Sequence, residues 1–249
     1  MHFVKVPNLP QNGAIAIIDT RCSPYFDALK KLGVKVIANP ACFGLYDAVC
    51  SHPDMIFHDL GEGYMVHAPD AAQEVLLQLE ALGINLIRGS TVLTPKYPGN
   101  IGYNAARVGN HIFHNFKYTD SSLLKEIDKR GLHKIHVNQG YSKCSICIVD
   151  ENAIITADPG IHRGAVDNGI ASLYIAPQKN IALKGLDYGF IGGSTGKISQ
   201  KRLCIFGNVR ELSDWEKIVS FAEKRGVEVI SLGKKPVEDF GSLMVISEY

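Results

Sequence analysis

Apolar and polar positions along this chain repeat one pattern five times: two short apolar runs, a helical stretch that stops at a glycine, then a third apolar run. The clearest copy starts at His52. Residues 55–60 and 64–68 read as strands across a Glu62-Gly63 turn, and 71–82 carries Val75, Leu76, Leu79 and Leu82 at helical spacing. Asp70 is placed to cap that helix, Gly83 to end it in a left-handed turn, and 84–87 to extend. The next copy predicts strands over 104–108 and 111–116, a helix over 121–130 between Asp120 and Gly131, and a strand over 134–137. The fourth predicts strands over 144–149 and 153–156, a short helix over 161–168, Gly169, and a strand over 172–175. The fifth predicts strands over 188–193 and 202–206 around a turn near Gly196, a helix over 214–225, Gly226, and a strand over 227–230.

The first copy has a strand over 14–18, a helix over 24–32, Gly33 and a strand over 34–37, but no strand before them. Residues 242–246 supply one at the far end of the chain. Pairing that segment with 14–18 closes the array and removes two sheet edges that would otherwise invite aggregation. The expected units are 12–40 plus 239–249, 52–89, 103–138, 141–177 and 186–233, in one domain spanning 1–249.

This order resembles the pentein fold, an α/β class in which five ββαβ units form a five-bladed α/β propeller, here closed by the C-terminal strand. The superfamily includes arginine and agmatine deiminases, dimethylarginine dimethylaminohydrolase, amidinotransferases and a ribosome anti-association factor. The stretch 140–150, with 188–193, is similar to an uncharacterised bacterial branch of it. The resemblance implies a site at the mouth of the central axis, built from segments that open the units. Those are 52–54, 103–104, 139–144, 187–188 and 239–242. It also implies a small polar ligand, such as a guanidino or amidino metabolite, attacked by a cysteine with a histidine as acid and base. The family's cysteine belongs in the closing strand and its histidine at the start of the fourth unit. Here 239–245 holds no cysteine, and Tyr141 or Ser142 stands about where the histidine would. A non-catalytic binder of a small molecule or a protein is therefore the alternative.

The residues themselves offer substitutes. Cys144 opens its strand at the mouth, beside Lys143, whose ammonium would raise the thiolate fraction if it faced the sulfur. Cys144 is the expected nucleophile and most reactive thiol, and His52 the expected base; packing of the thiol and local bonding of the imidazole are the bland alternatives. Asp54 and Asp239 are expected to hold a cationic group. Asn104, Gln139, Tyr141, Lys143, Tyr188 and Ser242 would complete the ligand lining.

Composition narrows the classes. Of 249 residues, 46% are hydrophobic and the formal net charge is +1, which supports a sizeable core and gives nucleic-acid binding no electrostatic footing. No apolar run reaches the roughly 20 residues of a membrane span, and residues 1–6 lack a signal-peptide core, so a cytoplasmic protein is expected. The six cysteines read as reduced thiols. Cys144 and Cys147 form a C-x-x-C, but on one strand they would face opposite ways, and no second ligand pair follows. No metal or cofactor is expected. The glycine-rich run 192–196 lacks the lysine of a phosphate loop and reads as a hairpin or bulge. Residues 96–102 could cover the mouth.

Overall fold

The computed structural model describes residues 2–249. The first unit holds β1 (His2–Phe3), β2 (Gly13–Asp19), a 3-10 turn over Thr20–Tyr25, α1 (Phe26–Lys31) and β3 (Lys35–Asn39). The second holds a helical turn α2 (Pro53–Ile56), β4 (Phe57–Gly61), β5 (Tyr64–His67), α3 (Gln73–Ala81) and β6 (Asn85–Arg88). The third holds β7 (Ala106–Val108), β8 (His111–His114), α4 (Ser121–Lys129) and β9 (His133–His136). The fourth holds a second helical turn α5 (Ser142–Ser145), β10 (Cys147–Asp150), β11 (Ala153–Thr156), α6 (Pro159–Asp167) and β12 (Ala171–Tyr174). The fifth holds β13 (Thr195–Ser199), β14 (Arg202–Ile205), α7 (Trp215–Lys224) and β15 (Glu228–Ser231), and β16 (Met244–Glu248) closes the chain.

Units two to five each make a three-stranded sheet: an antiparallel hairpin, then a parallel third strand reached through the helix. In the first unit β16 takes the missing place, antiparallel to β2, with β3 parallel beyond it and β1 on the outer side of β16. The result is a pentein-like α/β fold of five small sheets. The reason for each unit is local. Leu123 and Ile127 of α4, and Ile218 and Ala222 of α7, are buried one turn apart, so each helix lays one stripe on its sheet. Each full burial of a large apolar side chain contributes about 1.5–3 kcal/mol. The helices then stop at Gly33, Gly83, Gly131, Gly169 and Gly226, all at positive φ between 62° and 88°.

Several local expectations give way. Asp70 does not cap α3, whose N-cap is Ala72; its Oδ2 instead accepts the Cys42 thiol at 3.3 Å. Residues 55–56 lie in α2, and the strand starts at Phe57. Cys144 sits in α5, one turn before its strand. Residues 188–193 are not a strand: the first strand of the fifth unit is β13, and its hairpin turns at Gln200-Lys201. The glycine-rich run therefore enters a strand rather than linking two.

Candidate active site

Two helical turns and one tight corner deliver the polar groups. Pro53, at the first position of α2, presets the helical φ and sets His52 just outside the turn and Asp54 inside it. In α5 successive side chains are separated by about 100° rather than by a strand's alternation. Lys143 and Cys144 consequently both reach the interior, against the opposed faces expected of neighbours on a strand. Gly192 and Gly193 leave room for this turn. A Cβ on Gly192 would strike the Lys143 carbonyl oxygen, and one on Gly193 would strike the Asp239 carboxylate. Ser242, at φ +74°, holds a left-handed conformation that costs a non-glycine residue about 1–2 kcal/mol. Its amide is tied to Gly193 O at 2.8 Å.

The cluster these elements assemble is closely bonded. Lys143 Nζ donates to Ser242 Oγ at 2.8 Å, and Ser242 Oγ lies 2.7 Å from Asp54 Oδ2, to which it donates. The Cys144 thiol faces the same carboxylate, 3.4 Å from Oδ1 and 3.3 Å from Oδ2. Asn104 Nδ2 points at Cys144 Sγ at 3.2 Å and at Asp54 O at 3.0 Å, while its Oδ1 accepts the Lys143 amide at 2.9 Å. Asp239 accepts the amides of Phe190 at 2.8 Å and Gly241 at 3.0 Å. His52 stands apart from this network. Its Nδ1 lies 3.9 Å from Asp239 Oδ1 and its Nε2 3.9 Å from Asp19 Oδ2, and neither ring nitrogen has a hydrogen-bond partner.

Burial governs the charges. His52 is pushed down to about 3, first by burial and then by the Arg21 guanidinium, so its ring is neutral at pH 7. Asp239 is pushed up to about 7 by burial, against the two amides it accepts. Burial also raises Asp54, against the pull of Lys143 and of its hydrogen-bond donors, and lowers Lys143. The Cys144 thiol is held well above the usual range, first by burial and then by the carboxylates of Asp54 and Asp239. The neighbouring ammonium thus does not produce a thiolate in this arrangement, contrary to the expectation from sequence. Cys144 is buried, and Cys50 is the one cysteine that is only partly so.

The structure brings His52, Asp54, Asn104, Lys143, Cys144, Asp239 and Ser242 into this buried centre. It does not bring Gln139 and Tyr188 there: both line a separate cleft between the fourth and fifth units. Tyr141 lies between the two places, its hydroxyl accepting Asn100 Nδ2 at 2.9 Å and its ring stacked on Phe190. Tyr97, on the segment expected near the mouth, packs 5.9 Å from Tyr141 between ring centroids. Sequence reasoning missed Asp19 and its partner Arg21, whose Nε lies 2.9 Å from Asp19 Oδ1. The available signal was a carboxylate placed directly after the wholly apolar strand 14–18.

His52, Asp54 and Cys144 each offer one ligand atom, all within 4.8 Å of one another. Imidazole, carboxylate and thiolate together suit a zinc-like ion. Here, though, Asp54 Oδ2 is already taken by Ser242 Oγ, which also accepts a hydrogen bond from the Lys143 amine, so that side of the carboxylate is occupied.

Comparison with known proteins places this architecture. Residues 17–244 match a family of unknown function, DUF6873, and the chain belongs to it. No curated protein matches the sequence. Among solved structures, the inosamine-phosphate amidinotransferase of Streptomyces griseus is similar over 100% of this chain and 97% of its own, with TM-score 0.63 and 11% identity. An amidinotransferase of the saxitoxin pathway of Microseira wollei covers 92% of this chain and 91% of its own, with TM-score 0.55 and 14% identity. Agmatine deiminase of C. jejuni covers 94% and 90%, with TM-score 0.55 and 10% identity. These likenesses identify the fold as that of the pentein superfamily.

Proposed function

We propose that the buried centre is the reaction site of a divergent hydrolase or transferase acting on a small amidino or guanidino compound. The observation that carries this reading is His52. A wholly buried imidazole with both nitrogens unpartnered is costly in a structural core, and it stands within 4.8 Å of a thiol and a carboxylate. Such an imidazole can take a proton from Cys144 as the sulfur attacks the amidine carbon, and return it to the departing nitrogen. Asp54 and Asp239 would hold the amidinium. Water or an acceptor amine would then release the carbon from sulfur. The cationic substrates and thiol chemistry of the fold's enzymes support the same assignment only by analogy.

A second reading has its own observation. The centre is closed in this conformation, its thiol is held well above the usual range, and the Lys143 amine is bonded within it to Ser242, as suits a non-catalytic relative that binds a small molecule. Release of ammonia or amine from a panel of guanidino and amidino compounds separates the two. The enzyme reading expects turnover that Cys144→Ser abolishes and that His52→Asn lowers by about 10²–10⁴-fold. No turnover by the wild type, with no mass adduct on Cys144, leaves the binding reading.

A further inference from the structure

The cleft between the fourth and fifth units is independent of that chemistry. Its volume is about 120 Å³, somewhat less than the roughly 150 Å³ of a cavity that accepts benzene, so it suits a ligand of about four to six non-hydrogen atoms. Most of its wall is apolar, with Pro177 and the rings of Tyr188 and Phe190, which meet edge to face at 6.1 Å. Four polar side chains besides the tyrosine interrupt that wall: Gln139, Ser145, Asp158 and Gln178, whose amide is already bonded to Ala176 O and Asp214 Oδ2.

Two of these groups are short of donors. Ser145 is buried, and its Oγ has no hydrogen-bond partner. Asp158 caps α6 through Oδ1, which accepts the Ile161 amide at 2.8 Å, while Oδ2 receives only a long bond of 3.3 Å from Gln139 Nε2. A carboxylate has about four acceptor positions, so capacity remains. No Lys, Arg or His lines the cleft, and Asp158 is the one carboxyl side chain in its lining.

We propose that this cleft binds a small primary alkylammonium ion. An ammonium brings three N–H donors, which match the Asp158 carboxylate and the Ser145 hydroxyl, and a positive charge that no Lys, Arg or His of the lining opposes. Its short alkyl body fits the apolar wall. A guanidinium would need paired acceptors in one plane, and the single carboxylate here is partly used by the helix cap. The site needs no turnover at Cys144, so it stands or falls separately from the enzyme reading.

The test is titration of the full-length protein by calorimetry or NMR with n-propylammonium, with n-propanol as neutral isostere and methylguanidinium as planar cation. Wild type is expected to bind n-propylammonium at least tenfold more tightly than either of the others. Asp158→Asn keeps an equally good helix cap, so folding is preserved, and is expected to weaken binding about tenfold or more. Ser145→Ala should weaken it several-fold, and Asp54→Asn, in the buried centre, should leave it unchanged. Equal binding of propanol, undiminished binding by Asp158→Asn, or loss confined to Asp54→Asn would overturn the assignment. So would the absence of n-propylammonium binding at millimolar concentration.

Discussion

Asp239 accepts two backbone amides yet keeps its proton up to about pH 7, because burial penalises its charge more than the amides reward it. In the unfolded chain it ionises near 3.8. Between those values the native state holds more protons than the unfolded one, so this group's contribution to stability is full below 3.8 and is lost as pH rises through about 7. His52 acts oppositely: it stays neutral in the fold down to about 3 but protonates at 6.5 when unfolded, so its contribution is lost as pH falls across that range. The two offset one another in the wild type. Asp239→Asn should therefore be less stable at low pH, where it misplaces an amide proton, but gain relative to wild type as pH rises from about 4 to 7. Urea midpoints at both ends check this; a difference constant with pH would show that Asp239 is ionised throughout. At this scale the sequence was informative about identity and poor about neighbours. His52, Asp54, Asn104, Lys143, Cys144, Asp239 and Ser242 could be picked out as residues that open or close units. That Cys144 faces a carboxylate, and that Lys143 bonds Ser242 across 99 positions, depends on contacts no local pattern carries.

At the scale of elements, the helix stops are the most legible feature. Gly131 sits at φ +62° with no atom within 4 Å of an added Cβ, so Gly131→Ala is strained by the backbone alone. It should cost about 1–2 kcal/mol, and Gly131→Asn less, as read from urea unfolding. A neutral Gly131→Ala would contradict the capping account of the repeat. Asp120 was equally legible, since its Oδ1 accepts the amides of Ser122 at 2.9 Å and Leu123 at 3.1 Å. The misreadings have physical causes. Residues 142–145 form a single helical turn, too short to show a period against the strand that follows. Residues 188–193 look apolar enough for a strand, but Gly189, Gly192 and Gly193 serve close approach to Asp239 and to α5. Asp70 had the right type for a cap, but the helix starts three residues later and its carboxylate pairs with Cys42.

At the scale of the molecule, β16 is the decisive element. It lies between β1 and β2, and buries Met244, Val245 and Ile246. At about 1.5–3 kcal/mol each, these three side chains amount to much of the usual 5–15 kcal/mol margin of a folded protein. Removing residues 244–249 should abolish the cooperative urea transition followed by circular dichroism. A sharp transition at the wild-type midpoint would mean the closing strand is dispensable. Among the described residues, no helix is long and apolar enough to cross a membrane.

The sequence by itself determined the five-unit order, the helix stops and the need for a closing strand, because each follows from spacing and from backbone preferences that act within a few residues. It also pointed to the residues that open each unit. Only the tertiary structure decided that seven of them share one buried centre while Gln139 and Tyr188 line another cleft. It alone decided the protonation of Cys144 and Asp239 as well, because the energy of a buried charge depends on desolvation and on partners tens to hundreds of positions away.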